Sequence, residues 1–261
     1  MNGESDEMTA QRIMFFGIDV SGTEKPFTCA ALEEDGRLAL LQACELEEIL
    51  ALLSSTPRAW VAINAPARPN RGLVRERIEG NAPRAGQLRG ADMRLAEYEL
   101  RRRGIHVAAT PGHLASCPPW MQAGFMLHQK LQEVGFRPYP ASPEAQYQML
   151  ETHPHAAFCV LLGRQPLPKP SLEGRLQRQL ILHDQGLLIR DPMDFFEEIT
   201  RHRLRQGILP LEYIYQPEQL DALAAACVAF LASTRPQEVT AIGDKEEGQI
   251  ILPVGELKDT Y

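Results

Sequence analysis

Three acids occupy positions where a carboxylate can do chemistry. Asp19 closes the apolar run Ile13-Met14-Phe15-Phe16-Gly17-Ile18, Glu151 follows Tyr147-Gln148-Met149-Leu150, and Asp221 borders an apolar stripe that begins at Leu220. Carboxylates placed in this way can coordinate Mg²⁺ or Mn²⁺, hard cations that take oxygen ligands and keep waters for substrate phosphates. Two such ions would orient a water and stabilise the leaving oxygen of a phosphodiester. Each acid also has a structural use. Asp19 can close an Asx turn with Gly22 and Thr23, and Asp221, in the first turns of a helix, favours the helix dipole. Nearby polar residues add to the set. His153 and His155 are two apart, but Pro154 breaks a regular strand between them, so structural or substrate contact ranks above metal ligation. Lys169 and Arg175, near the Gly163-to-Gly174 turn, have the charge to meet a phosphate.

These residues must be positioned by the elements around them. The run from Ile13 to Val20 is apolar on both faces and reads as a buried central strand. Phe27–Leu32, the Glu33-Glu34-Asp35-Gly36 turn and Leu38–Ala43 read as a hairpin. Glu45–Ser54 has the spacing of a helix face, and Ala59–Asn64 is a short buried strand stopped by Ala65-Pro66. This order predicts an α/β protein with a mixed sheet, led by a hairpin that then receives a crossover strand. Residues 68–86 read as a long loop, and helices are expected over 87–103, 120–134, 155–162, 172–183, 192–206 and 217–233. Tyr147–Thr152 reads as a strand, Gly243–Gly248 as a solvated turn, and Gln249–Leu252 as a last strand.

Composition narrows the function classes. The chain has 261 residues and a formal net charge of −7, with 44% hydrophobic and 23% charged residues. That is a globular composition, and residues 10–261 are expected to form one domain behind a disordered tail, residues 1–9. No apolar run is long enough for a membrane span, so no membrane partner is expected. Five scattered cysteines without a Cys-x-x-Cys pair suggest buried reduced thiols in a cytoplasmic protein. Overall acidity argues against coating nucleic acid. However, residues 68–103 hold ten arginines against five acids, a local +5 in a chain whose remainder carries −12. Any nucleic-acid contact is therefore expected on this Arg-rich face.

Several segments, taken in order, resemble a known family. They are Gly17-Ile18-Asp19-Val20-Ser21-Gly22, Ala62-Ile63-Asn64-Ala65-Pro66, Glu151-Thr152-His153-Pro154, Leu162-Gly163-Arg164-Gln165-Pro166, Glu173-Gly174-Arg175, Asp221-Ala222-Leu223 and the turn 243–248. Together they resemble the predicted RNase H-like nucleases long catalogued as a domain of unknown function. The resemblance implies an RNase H-like mixed five-stranded sheet flanked by helices, with the Arg-rich stretch as a helical insertion. It also implies a metal-dependent nuclease with a two-metal carboxylate mechanism, in which Asp19, Glu151 and Asp221 are catalytic and hold Mg²⁺ or Mn²⁺. Asn64, His153, Lys169 and Arg175 are expected to contact substrate. Asn64 stands where such a family often has Asp, which keeps a carbonyl oxygen but removes a negative charge and should weaken metal binding. Asn64 can equally serve as a strand cap.

Two other readings follow from the same residues. One is a non-catalytic module that binds nucleic acid or a nucleotide, supported by Asn64. The other is an actin-like ATP-dependent phosphotransferase, because Gly17–Thr23 also resembles the first phosphate loop of sugar kinases. That reading lacks the second Asp-Gly loop and the Gly-rich adenosine site it would need.

Overall fold

The computed structural model describes residues 13–20, 27–79, 92–142 and 145–261, leaving aside the side chains of 77–79. The tail 1–9, the Ser21-Gly22-Thr23 turn, and residues 87–91 of the helix expected over 87–103 lie outside the described residues. The strands are β1 (Ile13–Val20), β2 (Phe27–Leu32), β3 (Leu38–Cys44), β4 (Arg58–Asn64), β5 (Arg137–Pro138), β6 (Tyr147–Glu151), β7 (Thr240–Asp244) and β8 (Gly248–Leu252). The helices are α1 (Leu46–Ser54), α2 (Leu73–Glu79), α3 (Leu95–Arg102), α4 (Pro119–Glu133), α5 (Pro154–Leu162), α6 (Leu172–Asp184), α7 (Asp194–Glu197), α8 (Arg201–Arg205) and α9 (Pro217–Thr234).

The result is a mixed α/β fold on one eight-stranded sheet, in the order β3-β2-β1-β4-β6-β8-β7, with β5 also pairing β6. β1 pairs β2 antiparallel and β4 parallel, and β4, β6 and β8 continue in parallel. The expectation of five strands is corrected. The two-residue β5 carries too little pattern to detect, and β7 was absorbed into a turn because Gly243 and Asp244 end it. The β2–β3 hairpin forms as read, with Gly36 at a φ of 81° that a residue with a side chain rarely adopts. The stretch 192–206 is two short helices, interrupted where Thr200 caps the second by accepting a hydrogen bond from the Arg203 N–H. The stretch 68–86 contains α2, where a loop was expected. All five cysteines are free and buried. Among the described residues, no helix is long and apolar enough to cross a membrane.

Because side chains alternate across a strand, β1 feeds two cores. Phe15 joins Ala30, Ala62, Leu150 and the alanine-rich face of α9. Phe16, Ile18 and Val20 join Ile49 and Leu53 of α1 and Leu127 and Leu131 of α4 on the other face. A third cluster sits where α3 and α5 meet β7 and β8.

At Gly17 the backbones of β1 and α9 come close together. A Cβ built there would lie 2.0 Å from the Ala222 carbonyl oxygen and 2.2 Å from the Ala226 nitrogen. Both neighbours are backbone and cannot rotate away. Gly17→Ala is therefore expected to destabilise the chain by about 3 kcal/mol or more, the upper range for overpacking. The drop would be read from the urea midpoint, and an unchanged midpoint would refute the close approach.

Candidate active site

The carboxyl ends of β1, β4 and β6 lie side by side and open onto a cavity of about 490 Å³. Strand parity decides what enters it. Phe15, Gly17 and Asp19 are two apart, so Asp19 shares the face of β1 that meets α9. On β4, Asn64 shares the parity of Ala62 and lies directly beside Asp19 in register. The Asn64 Nδ2 donates to Asp19 Oδ1 at 2.5 Å. From the other side, α9 presents Asp221 one residue before the Ala222 that packs on Gly17. Asp19 and Asp221, both buried, thus line the same cavity, close enough for the charge of one to act on the other. The Asp221 carboxyl is raised to about 7, first by burial and next by the charge of Asp19, with Lys169 and Arg178 opposing. Lys169 Nζ donates to Asp221 Oδ2 at 2.5 Å while its own side chain stays 38% exposed.

Glu151 follows the opposite parity. It is in register with Ile63, which belongs to the core on the α4 side. There it meets Arg94, the N-cap residue of α3, whose guanidinium is buried and bonds both carboxylate oxygens. The Ala67 N–H donates to Glu151 Oε2 at 2.8 Å. Arg94 also bonds Glu97 through Nε at 2.8 Å and donates to the Glu247 carbonyl at 3.1 Å. Burial alone would lower the Arg94 pKa, but the charges of Glu151 and Glu97 outweigh it and hold the guanidinium protonated. Glu151 therefore lines the cavity together with Asp19 and Asp221, but both of its oxygens are engaged by Arg94. Among the described residues, no three His, Cys, Asp or Glu side chains form a metal-holding group.

The remaining expected residues divide in two. His153 and His155 both line the cavity. His153 caps α5 by accepting from the Ala156 N–H at 3.3 Å, and it is held neutral with a pKa lowered to about 3, by burial first and then by His155, with Lys169 and Arg94 adding to the effect. Burial likewise lowers the pKa of His155, with Arg178 the next cause. Arg175 does not line the cavity; its guanidinium donates to the carbonyls of Ile214 and Tyr215. Among the described residues, the arginines of 68–103 are dispersed. Arg71 pairs with Glu246, Arg75 with Asp92 and Arg103 with Glu99, while Arg101 donates to the Val107 carbonyl.

Three residues of this region escaped the sequence reading. Arg94 was one arginine among ten, although its apolar neighbours Met93 and Leu95, and Glu97 three residues later, signal a buried helix start. Glu247 was read as part of a solvated turn. It is fully buried, and its carboxylate accepts the backbone N–H groups of Arg71, Leu73 and Leu95. Trp120, which lines the cavity, was read only as a helix start.

Two measurements test this geometry. Arg94→Met leaves Glu151 and Glu97 buried without their cation, and is expected to cost about 3–5 kcal/mol in chemical denaturation. Asp221→Asn probes the raised carboxyl. The folded state holds that proton up to about pH 7, while the unfolded chain releases it near its ordinary pKa of about 4. The native chain should thus lose stability relative to the variant as pH rises from about 4 to 7, with no further divergence above. Parallel melting curves across that range would contradict the assignment.

Thr152 completes the cavity edge, its hydroxyl donating to the Ile251 carbonyl. The carboxylate pair, the Asn64 bridge and the Arg94 clamp all fall between Gly17 and Glu247. No curated protein matches the chain. A family match does cover this span: over residues 17–247 the chain matches the family described as protein of unknown function (DUF429), and it belongs to that family.

Proposed function

We propose that the chain is a metal-dependent phosphodiester hydrolase of RNase H-like type, working through one divalent cation held by Asp19 and Asp221. The observation that carries the reading is the pair of buried carboxylates lining one cavity, one with its pKa raised toward neutrality by burial and then by the charge of the other. Two like charges in a poorly solvated site repel, and a cation between them relieves that repulsion. Further support comes from a sheet whose first strand is central, paired to a hairpin on one side and to parallel β4 and β6 on the other.

The donor set fits Mg²⁺ or Mn²⁺ in a limited way. One or two carboxylates plus waters is an ordinary Mg²⁺ environment, and Asn64 adds an amide oxygen if its side chain turns over. Glu151 is not available without displacing Arg94, so this reading takes one ion in place of the two-ion arrangement. When bound, such an ion would supply Lewis acidity and lower the pKa of a coordinated water. The chain's own residues set the rest. Asn64 fixes the orientation of Asp19. Asp221 can hold or release a proton near neutral pH. Lys169, half in solvent, can leave Asp221 for a phosphate oxygen. His155, neutral at the cavity wall, can exchange hydrogen bonds with a sugar or a leaving oxygen.

The purified chain is expected to cleave a DNA, RNA or hybrid substrate in Mn²⁺ or Mg²⁺. Asp19→Asn should lower the rate by at least about 100-fold, the scale on which positioned acid–base or electrostatic groups act. Circular dichroism would confirm that the variant folds. Absence of cleavage on every nucleic acid tried, together with no divalent binding by calorimetry, would overturn the proposal.

A second reading rests on the Lys169–Asp221 contact. There Lys169 is the resident cation, and the cavity binds a nucleotide or strand without cutting it. Salt-sensitive binding without turnover would favour this module.

A further inference from the structure

The cavity lining is of two chemical kinds. Asp19, Asp221 and Lys169 are charged, whereas Trp120 and Met121 at the start of α4, with Pro66 and Pro154, are apolar. Trp120 is half-buried, and its inner edge packs on the core beneath α4. Its position is stiffened by Pro119 at the first turn and by Met121, which is buried. Among the described residues, no hydrogen-bond partner engages the indole N–H, and the ring forms no aromatic pair; the other tryptophan, Trp60, instead makes a tilted contact with Tyr139. Trp120 is thus a fixed, partly open aromatic surface facing a site read as taking a phosphodiester.

Such a surface selects the form of the polynucleotide. In a duplex the bases are stacked on one another and do not offer a free π-face to a side chain, whereas an unpaired base does. A cavity of about 490 Å³ also falls within the range of pockets that enclose one drug-sized group. It would accommodate a single nucleotide unit with its base at the aromatic ring and its phosphate at the charged residues.

We infer that the substrate is single-stranded nucleic acid, or an unpaired end, with one base stacked on Trp120 next to the scissile phosphate. This rests on the phosphodiesterase reading of the same cavity. Base–aromatic stacking is sequence-tolerant, so recognition would depend on strandedness more than on sequence.

The chain has two tryptophans, so Trp60→Phe leaves Trp120 as the one indole reporter. In that background, a short oligothymidylate should quench the emission with saturation, while a loop-free duplex of two complementary strands at equal phosphate concentration should not. Binding would be measured separately by anisotropy of a labelled oligothymidylate. Trp120→Ala should weaken Kd roughly 5- to 150-fold, matching the usual range for one stacked base, and Trp120→Phe should restore most of it. Equal quenching by the duplex, or a Kd unmoved by Trp120→Ala in a folded variant, overturns the inference. The two proposals fail separately. Turnover that ignores Trp120→Ala leaves the hydrolase standing and removes the stacking platform. Trp120-dependent binding of single strands without turnover in any divalent ion removes the hydrolase and leaves the platform.

Discussion

The approach of β1 to α9 at Gly17 is the constraint on which the site depends. With no Cβ in the way, the helix backbone rests directly on the central strand, and the alanines of α9 let it continue across β2 and β4. Two residues further along the same face of β1 comes Asp19, and one residue before the helix contact comes Asp221. The two acids therefore meet because a strand and a helix cannot be separated at that point. Their repulsion is a cost borne by the packing around them, which is how a fold can hold like charges together at a functional site.

A second cluster organises the opposite side of the cavity. Arg94 is one cation among Glu97, Glu151 and the backbone at Glu247, all buried. Such a cluster contributes modestly to net stability, because desolvation offsets most of the Coulomb attraction. Its effect is geometric: it joins α3, the end of β6 and the β7–β8 turn at fixed distances. Thr110 adds both its N–H and its hydroxyl to Glu97 and brings the segment before α4 into the same arrangement. The wall that carries Trp120 begins just beyond that segment.

Much of this was legible in the sequence. The central strand, the Asp35-Gly36 hairpin and the long α9 followed from apolar run, turn chemistry and helical spacing, and Asp19 and Asp221 stood out as acids at the margins of apolar elements. Glu151 shows where such reading stops. Its position at a strand end was correct, but which face it takes depends on the register of β6 against β4, and a shift of one residue reverses the face. The sequence of one strand does not contain that register. Glu247 shows the converse. A run of Asp and Glu with a lysine has the composition of a solvated turn, and only the distant segment 71–95 supplies the N–H groups that bury one of its members. Arg175 had the right charge for phosphate, yet the carbonyls of residues 214 and 215 lay closer.

Glu247 also bears on the timing of assembly. It reaches Arg71, 176 positions earlier in the chain, and a contact of that span can form only after every residue between the two has been made. During synthesis, β1 to β4 and α1 can pair as soon as they emerge. The starts of α2 and α3 must wait, with their first N–H groups unanswered, until the β7–β8 hairpin has left the ribosome. The enclosure around the two acids is thus completed by a segment made after both of them, so neither Asp19 nor Asp221 has its final surroundings until Glu247 has followed.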